Sequence, residues 1–121
     1  KINYIKFNSS NNLTILNIGM NDIMRPALYN SYHKIESNNF GKKIKNFFGP
    51  ICESSDKFLN NNFIKIKNNS IIILYSSGSY CKVMSNSYNS KLKIYEIIIY
   101  NNKLKIIFKI EKFKNLINNY A

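Results

Sequence analysis

The sequence predicts a mainly β fold: an antiparallel, Greek-key-like sandwich or barrel with a short C-terminal helix. Three observations carry this. Short β-branched and aromatic runs recur along the chain, separated by Asn- and Ser-rich stretches. Residues 103–110 alternate, with Leu104, Ile106, Phe108 and Ile110 on one face and Lys103, Lys105 and Lys109 on the other, the period of a half-buried strand. Helical spacing is confined to short segments.

Strands are expected at 2–7, 13–18, 44–48, 63–67, 71–75, 94–100 and 103–110, with turns at 8–12, 60–62, 68–70 and 85–90. The run IIILY at 71–75 does not alternate and is expected to be buried on both faces. Between 94–100 and 103–110 lies Asn101-Asn102, and asparagine tolerates the positive φ of a two-residue hairpin turn. Pro26 fits the first position of a helical turn through Ala27, Leu28 and Tyr29. Phe113, Leu116, Ile117 and Tyr120 recur at helical spacing over about 112–120. Six or seven short strands in 121 residues suit a single sandwich or barrel, with no internal repeat and no domain boundary.

Such a chain is compact to a radius of gyration of roughly 14 Å and buries about two-thirds of its unfolded surface. It has no apolar run of the length a bilayer requires and no signal-peptide pattern, so membrane and secreted classes are disfavoured. It begins at Lys1, which points to a piece of something longer. Asn (22), Ile (21) and Lys (17) make up about half of it. These residues share AT-rich codons, so the bias reads as a genome's mutational habit. The net charge of +12 raises the question of a polyanion partner. However, the lysines are spread from Lys1 to Lys114, and Arg25 is the sole arginine. A solvated lysine surface explains the charge better than nucleic-acid binding. Cys52 and Cys81, with His33 as the one histidine, form neither a disulfide framework nor a metal spacing. Two free thiols suit a reducing cytoplasm.

Three segments escape the compositional drift: GMNDIMRPALY at 19–29, GPICESSD at 49–56 and GSYCKVMSNSYNS at 78–90. They hold every glycine except Gly41, both prolines, both cysteines, all three methionines and the arginine. In this order they resemble the C-terminal β domain of the diaminopimelate decarboxylase family, pyridoxal-phosphate enzymes of the alanine racemase-like fold group. The resemblance runs from about Leu13 to the end, and GPICESSD is its most diagnostic part. Related ornithine decarboxylases usually carry Asp-Gly where this chain has Glu53-Ser54.

The resemblance implies a two-domain enzyme that decarboxylates meso-2,6-diaminopimelate to L-lysine, the last step of lysine biosynthesis, in the cytoplasm. Residues 1–121 would be its C-terminal domain. The N-terminal (β/α)8 barrel, which carries the Schiff-base lysine and the phosphate site, is not in this chain, so the chain alone should be inactive. Family members are homodimers with shared active sites. Cys52 is implied as the catalytic proton donor: a thiol near pKa 8.5 holds its proton at neutral pH yet delivers it readily to a carbanion. Arg25 is implied to grip a substrate carboxylate with its planar fork of donors. Tyr29, one helical turn on, would also touch substrate. Glu53 would take the second ammonium and so reject other amines. Tyr88 would contact both the pyridoxal 5'-phosphate ring and the substrate. Cys81, which replaces a family glycine, reads as a buried residue, and Asp22 and Asp56 read as turn or cap residues.

Against the family pattern, Asn17 replaces an aspartate, Ser79 an alanine, and Lys91 through Glu96 replace Arg-Pro-Arg-Pro-Ala-Glu. These departures bear on stability and efficiency more than on the reaction. Three alternatives stay open: a relaxed decarboxylase of ornithine type, a degenerate partner subunit that only dimerises, and a basic β barrel that binds nucleic acid.

Overall fold

The computed structural model describes residues 1–7, 12–38, 40–59, 62–109 and 112–118. It is a mainly β domain with short helices. The strands are β1 (Ile2–Lys6), β2 (Leu13–Leu16), β3 (Ile35–Ser37), β4 (Lys42–Ile44), β5 (Asn46–Phe48), β6 (Lys57–Phe58), β7 (Ile64–Ile66), β8 (Ile72–Leu74), β9 (Glu96–Tyr100) and β10 (Lys103–Phe108). The helices are α1 (Arg25–Tyr29), α2 (Cys81–Met84) and α3 (Phe113–Asn118), with a 3-10 turn at Tyr88–Ser90. One four-stranded sheet runs β1-β2-β5-β6, and three two-stranded ribbons pair β3 with β8, β4 with β7 and β9 with β10.

The core forms where these sheets meet. Ile2, Leu16, Ile44, Phe47 and Ile66 are almost wholly inaccessible, and burial of each such side chain contributes about 1.5–3 kcal/mol. Ile2 and Ile5 both point inward although they are three residues apart. The pairing of β1 with β2 is irregular between Ile2 and Tyr4, and such a bulge resets which side chains face the core. At Gly41, φ is +106°, and a Cβ would collide with the Ile66 carbonyl. Only glycine lets the backbone pass there.

The segment expected as one strand at 44–48 is two. Ile44 and Phe47 are both buried, and an unbroken strand would place them on opposite faces. The chain leaves strand geometry at Lys45, so that β4 pairs with β7 while β5 pairs with β2 and β6. β3, β6 and α2 were not expected from the sequence. They are too short to show a period. The sheet is also not purely antiparallel, because β2 and β5 run parallel, with Thr14 opposite Phe47.

Two burial expectations are corrected. The 71–75 run alternates after all: Ile72 and Leu74 pack on the core while Ile71 and Ile73 are exposed, because β8 is half of a two-stranded ribbon with a layer on one side only. The hairpin of β9 and β10 forms at the expected turn, with Asn101 and Asn102 at φ of 46° and 56°. Its apolar face is not covered, since Leu104 and Ile106 are exposed and Phe108 is half-buried. In α3 only Leu116 is buried, Phe113 and Ile117 being exposed. Ile110, Tyr120 and most of the expected turns at 8–12 and 60–62 lie outside the described residues. The turn at 68–70 is present, closed by Ser70 N–H donating to the Lys67 carbonyl at 3.1 Å.

The hairpin turn is testable. Asn102→Ala is expected to cost about 1 kcal/mol, because alanine keeps the β-carbon that the left-handed region penalises but lacks the short polar side chain whose local hydrogen bonds let asparagine tolerate it, and Asn102→Gly to cost nothing. Amide hydrogen exchange at the closing Tyr100–Lys103 pair reads the difference.

Candidate functional site

The parallel pairing of β2 and β5 has a direct consequence for the compositionally distinct segments. Segment 19–29 follows β2, and segment 49–56 follows β5. Parallel neighbours end at the same edge of a sheet, so the two loops leave side by side. The Asp56 carboxylate, 2% exposed, ties them together. Met20 N–H donates to its Oδ1 at 2.7 Å, and Ile51 N–H donates to its Oδ2 at 2.8 Å. Gly49 N–H donates to the Asp56 carbonyl at 2.9 Å and closes the second loop. A Cβ on Gly49 would coincide with both carboxylate oxygens, and one on Gly19 would lie 2.8 Å from Oδ2. The glycines of both motifs are therefore the space into which Asp56 fits.

The third segment joins through Asn21, itself buried. Its Nδ2 donates to the Tyr88 carbonyl at 2.7 Å and to Asn86 Oδ1 at 3.1 Å, and Asn86 N–H donates back to the Asn21 carbonyl at 3.1 Å. Asp22 closes its own turn, with Gly19 N–H donating to Oδ2 at 3.0 Å. Sequence reasoning took Asp22 and Asp56 for turn or cap residues; Asp56 is also a cross-link between motifs. It missed Asn21 altogether. Two carboxylates amid a drift toward Asn, Ile and Lys were the available signal, whereas Asn21 is itself a drift residue type and gave none, and nothing local says that any of the three is buried.

The five candidate site residues fall on two parts of this frame. Arg25 and Tyr29 begin and end α1, which starts one residue before Pro26 and is capped by Asn30 in the left-handed conformation. Arg25 is half-buried and Tyr29 exposed, and among the described residues the Arg25 guanidinium has no carboxylate partner. Cys52 and Glu53 are exposed at the tip of the 49–56 loop. Tyr88, 49% exposed, donates its hydroxyl to Glu53 Oε1 at 2.9 Å. This bond joins residues 35 positions apart. The phenol is pushed above its ordinary pKa of 10.0, first by that hydrogen bond and then by the charge of Glu53, with a smaller push from Cys52. Cys52, Glu53 and Tyr88 thus form one group. No hydrogen bond or ion pair joins Arg25 or Tyr29 directly to them among the described residues.

An open concavity lies apart from these residues. A cleft of about 530 Å³ runs between α2 and the β9–β10 hairpin, lined by Ile23, Cys81, Ile94, Ile97 and Ile107 with the Asp22 carboxylate beside them. It contains none of the five candidates. Cys81 is buried, and burial pushes its thiol above its ordinary value. The exposed Cys52 is the accessible thiol of the two.

The sequence model of the pyridoxal-dependent decarboxylase C-terminal sheet domain matches residues 1–78. The chain belongs to this family. Diaminopimelate decarboxylase from Neisseria meningitidis is 29% identical over 98% of the chain and 30% of its own length. Among solved structures, diaminopimelate decarboxylase from M. jannaschii superposes with a TM-score of 0.90 at 27% identity, over 100% of this chain and 29% of that one. The Helicobacter pylori enzyme complexed with L-lysine does so with a TM-score of 0.87 at 30% identity, over 98% and 30%. The chain therefore spans about 30% of the length of its relatives.

The residues of this decarboxylase-family domain fit a pyridoxal group. The half-exposed ring of Tyr88, its hydroxyl tied back to Glu53, leaves aromatic surface for a flat heteroaromatic ring. Lys91 lies in the segment that departs from the family pattern. Its Nζ donates to the Asn17 carbonyl at 3.2 Å, and its charge pulls down the pKa of both Asp22 and Asp56. Among the described residues no helix is long and apolar enough to cross a membrane.

Two measurements test this frame. Gly49→Ala displaces the Asp56 carboxylate and strands the buried Ile51 N–H and the half-buried Met20 N–H, which is expected to cost about 2–4 kcal/mol in urea unfolding of the full-length gene product. The second concerns pH. Burial holds both Asp22 and Asp56 above the ordinary value of 3.8, outweighing the N–H groups that donate to them. The folded state therefore takes up these two protons first. The stability this contributes is complete below pH 3.8 and is lost as pH rises through the folded-state values. Asp56→Asn should flatten the slope of unfolding free energy against pH in the window just above 3.8.

Proposed function

We propose that this domain contributes one half of a decarboxylase active site that converts meso-2,6-diaminopimelate to L-lysine and CO2, the remaining half coming from a barrel domain in a homodimer. The observation that carries the reading is the Tyr88–Glu53 hydrogen bond beside the exposed Cys52 thiol. It groups an acid, an anion and an aromatic ring on one open face. Pyridoxal phosphate, when bound, supplies the sink for the electron pair that the departing CO2 leaves behind.

The chain's own residues supply placement and a proton. Arg25, with no carboxylate partner among the described residues, grips a carboxylate of the substrate bidentately, and the exposed Tyr29 hydroxyl adds a second contact. Glu53 takes the ammonium at the far end, which fixes which end of a two-ended substrate reacts. The ring of Tyr88 packs against the cofactor. The carbon–carboxylate bond breaks, CO2 leaves, and the Cys52 Sγ proton replaces it at the same carbon. Solvent then reprotonates the thiolate. A carboxylate at position 53 favours a substrate with a second ammonium, and the relatives described above, including the lysine-bound Helicobacter pylori enzyme, carry the name of the diamino diacid decarboxylase.

The test is lysine formation from meso-diaminopimelate by the full-length gene product with pyridoxal phosphate. Cys52→Ala is expected to lower the rate about a hundredfold or more, the scale of a lost general acid. A variant as fast as wild type removes the donor role. A cofactor-bound wild type that makes no lysine removes the reaction itself.

A further inference from the structure

We propose that Tyr88 is the positioning residue of this site: through its hydroxyl it aims the Glu53 carboxylate at the second ammonium of the substrate, and so sets the preference for a diamino over a monoamino diacid. The inference rests on the decarboxylase reading above and assigns the residue that makes it selective.

The backbones on both sides are fixed, and the side chains bridge them. Glu53 sits in a closed loop: its N–H donates to the Ile51 carbonyl at 2.8 Å, and Asp56 N–H donates to the Glu53 carbonyl at 3.1 Å. Tyr88 is held at both ends, its N–H donating to Asn86 Oδ1 at 3.0 Å and its carbonyl accepting from Asn21. Among the described residues, the phenol–carboxylate bond is the one side-chain link between these two loops.

A glutamate has three rotatable bonds and, on an exposed loop, many rotamers. Tying Oε1 to a rigid phenol removes most of them and leaves Oε2 with no protein partner among the described residues. A carboxylate held by one oxygen presents its other lone pairs in a fixed direction, which an ammonium can satisfy with three donors. The same bond keeps Glu53 turned toward Tyr88, so that it does not swing onto the neighbouring thiol and take the proton that Cys52 must deliver. A monoamino diacid would leave this oriented anion enclosed and unpaired, and an unpaired polar group in a closed site is what gives strong rejection.

The experiment uses the full-length gene product with pyridoxal phosphate and compares kcat/KM for meso-2,6-diaminopimelate and for 2-aminopimelate, which lacks the second amino group. Wild type, Tyr88→Phe, Glu53→Gln and the double variant form a cycle. Tyr88→Phe is expected to shrink the preference for the diamino substrate about tenfold or more, the effect of losing a hydrogen bond to a charged group. Glu53→Gln should remove most of the preference, and the double variant should be no less selective than Glu53→Gln alone. Equal losses on both substrates in Tyr88→Phe, or additive effects in the cycle, overturn the proposal.

A readout independent of turnover is the titration of 13C-labelled tyrosine rings. One phenol should titrate at lower pH in Glu53→Gln than in wild type, and an unchanged titration also overturns the proposal. A wild type that binds cofactor and turns over neither substrate defeats the decarboxylase reading, and the selectivity with it. The tyrosine titration still reports whether Tyr88 and Glu53 are bonded, so the two failures are distinguishable.

Discussion

The site side of this domain depends on one buried carboxylate. Asp56 takes N–H donors from two loops at once, and burying a charge is costly unless hydrogen bonds compensate it. The two loops must therefore stay where those donors point. The glycines at 19 and 49 are the steric condition for that arrangement, since side chains there would occupy the space of the carboxylate. Every other contact among the three motifs is built on the position this sets. Asn21 follows Met20 directly and carries the tie onward to Tyr88. Polar bonds thus join the three motifs, and an isoleucine-rich core that includes Ile23 and Cys81 of those motifs packs beneath the sheets.

That face is open. The thiol, the glutamate and the tyrosine ring are all exposed, and the cleft between α2 and the β9–β10 hairpin contains none of them. The general acid catalysis and ammonium recognition proposed for it both need water excluded to reach useful strength, and the exposed residues do not exclude it unaided. Exposed apolar surface on the β9–β10 hairpin and on Ile71 and Ile73 is likewise more than a free-standing domain of this size usually shows. Both features agree with a chain that spans about 30% of the length of its relatives.

The compositional drift toward Asn, Ile and Lys has been absorbed in a physically sensible way. Asparagines occupy left-handed positions at 30, 69, 89, 101 and 102, where they are the best non-glycine residues. Isoleucine fills both core and strand surface, and the lysines lie mostly on exposed faces. The drift stops at Arg25, Gly19, Gly49, Asp56, Cys52 and Glu53. Each of these has a geometry or a charge chemistry that no drift residue reproduces.

The sequence by itself determined the class of the fold, the hairpin at Asn101-Asn102, the helical turn at Pro26 and the three segments that escape the compositional drift. These are local properties: alternation, a tolerated positive φ, a fixed proline φ, a residue type that resists substitution. Only the tertiary structure decided that the 44–48 segment breaks at Lys45, that β2 and β5 run parallel, that the 71–75 run and the hairpin keep an exposed apolar face, and that Tyr88 reaches Glu53. Each of these depends on which strand lies beside which, and a sequence pattern encodes the faces of a strand but not the identity of its neighbour. The buried roles of Asn21 and Asp56 were hidden for the same reason, because a polar side chain reads as surface until its donors arrive from another part of the chain.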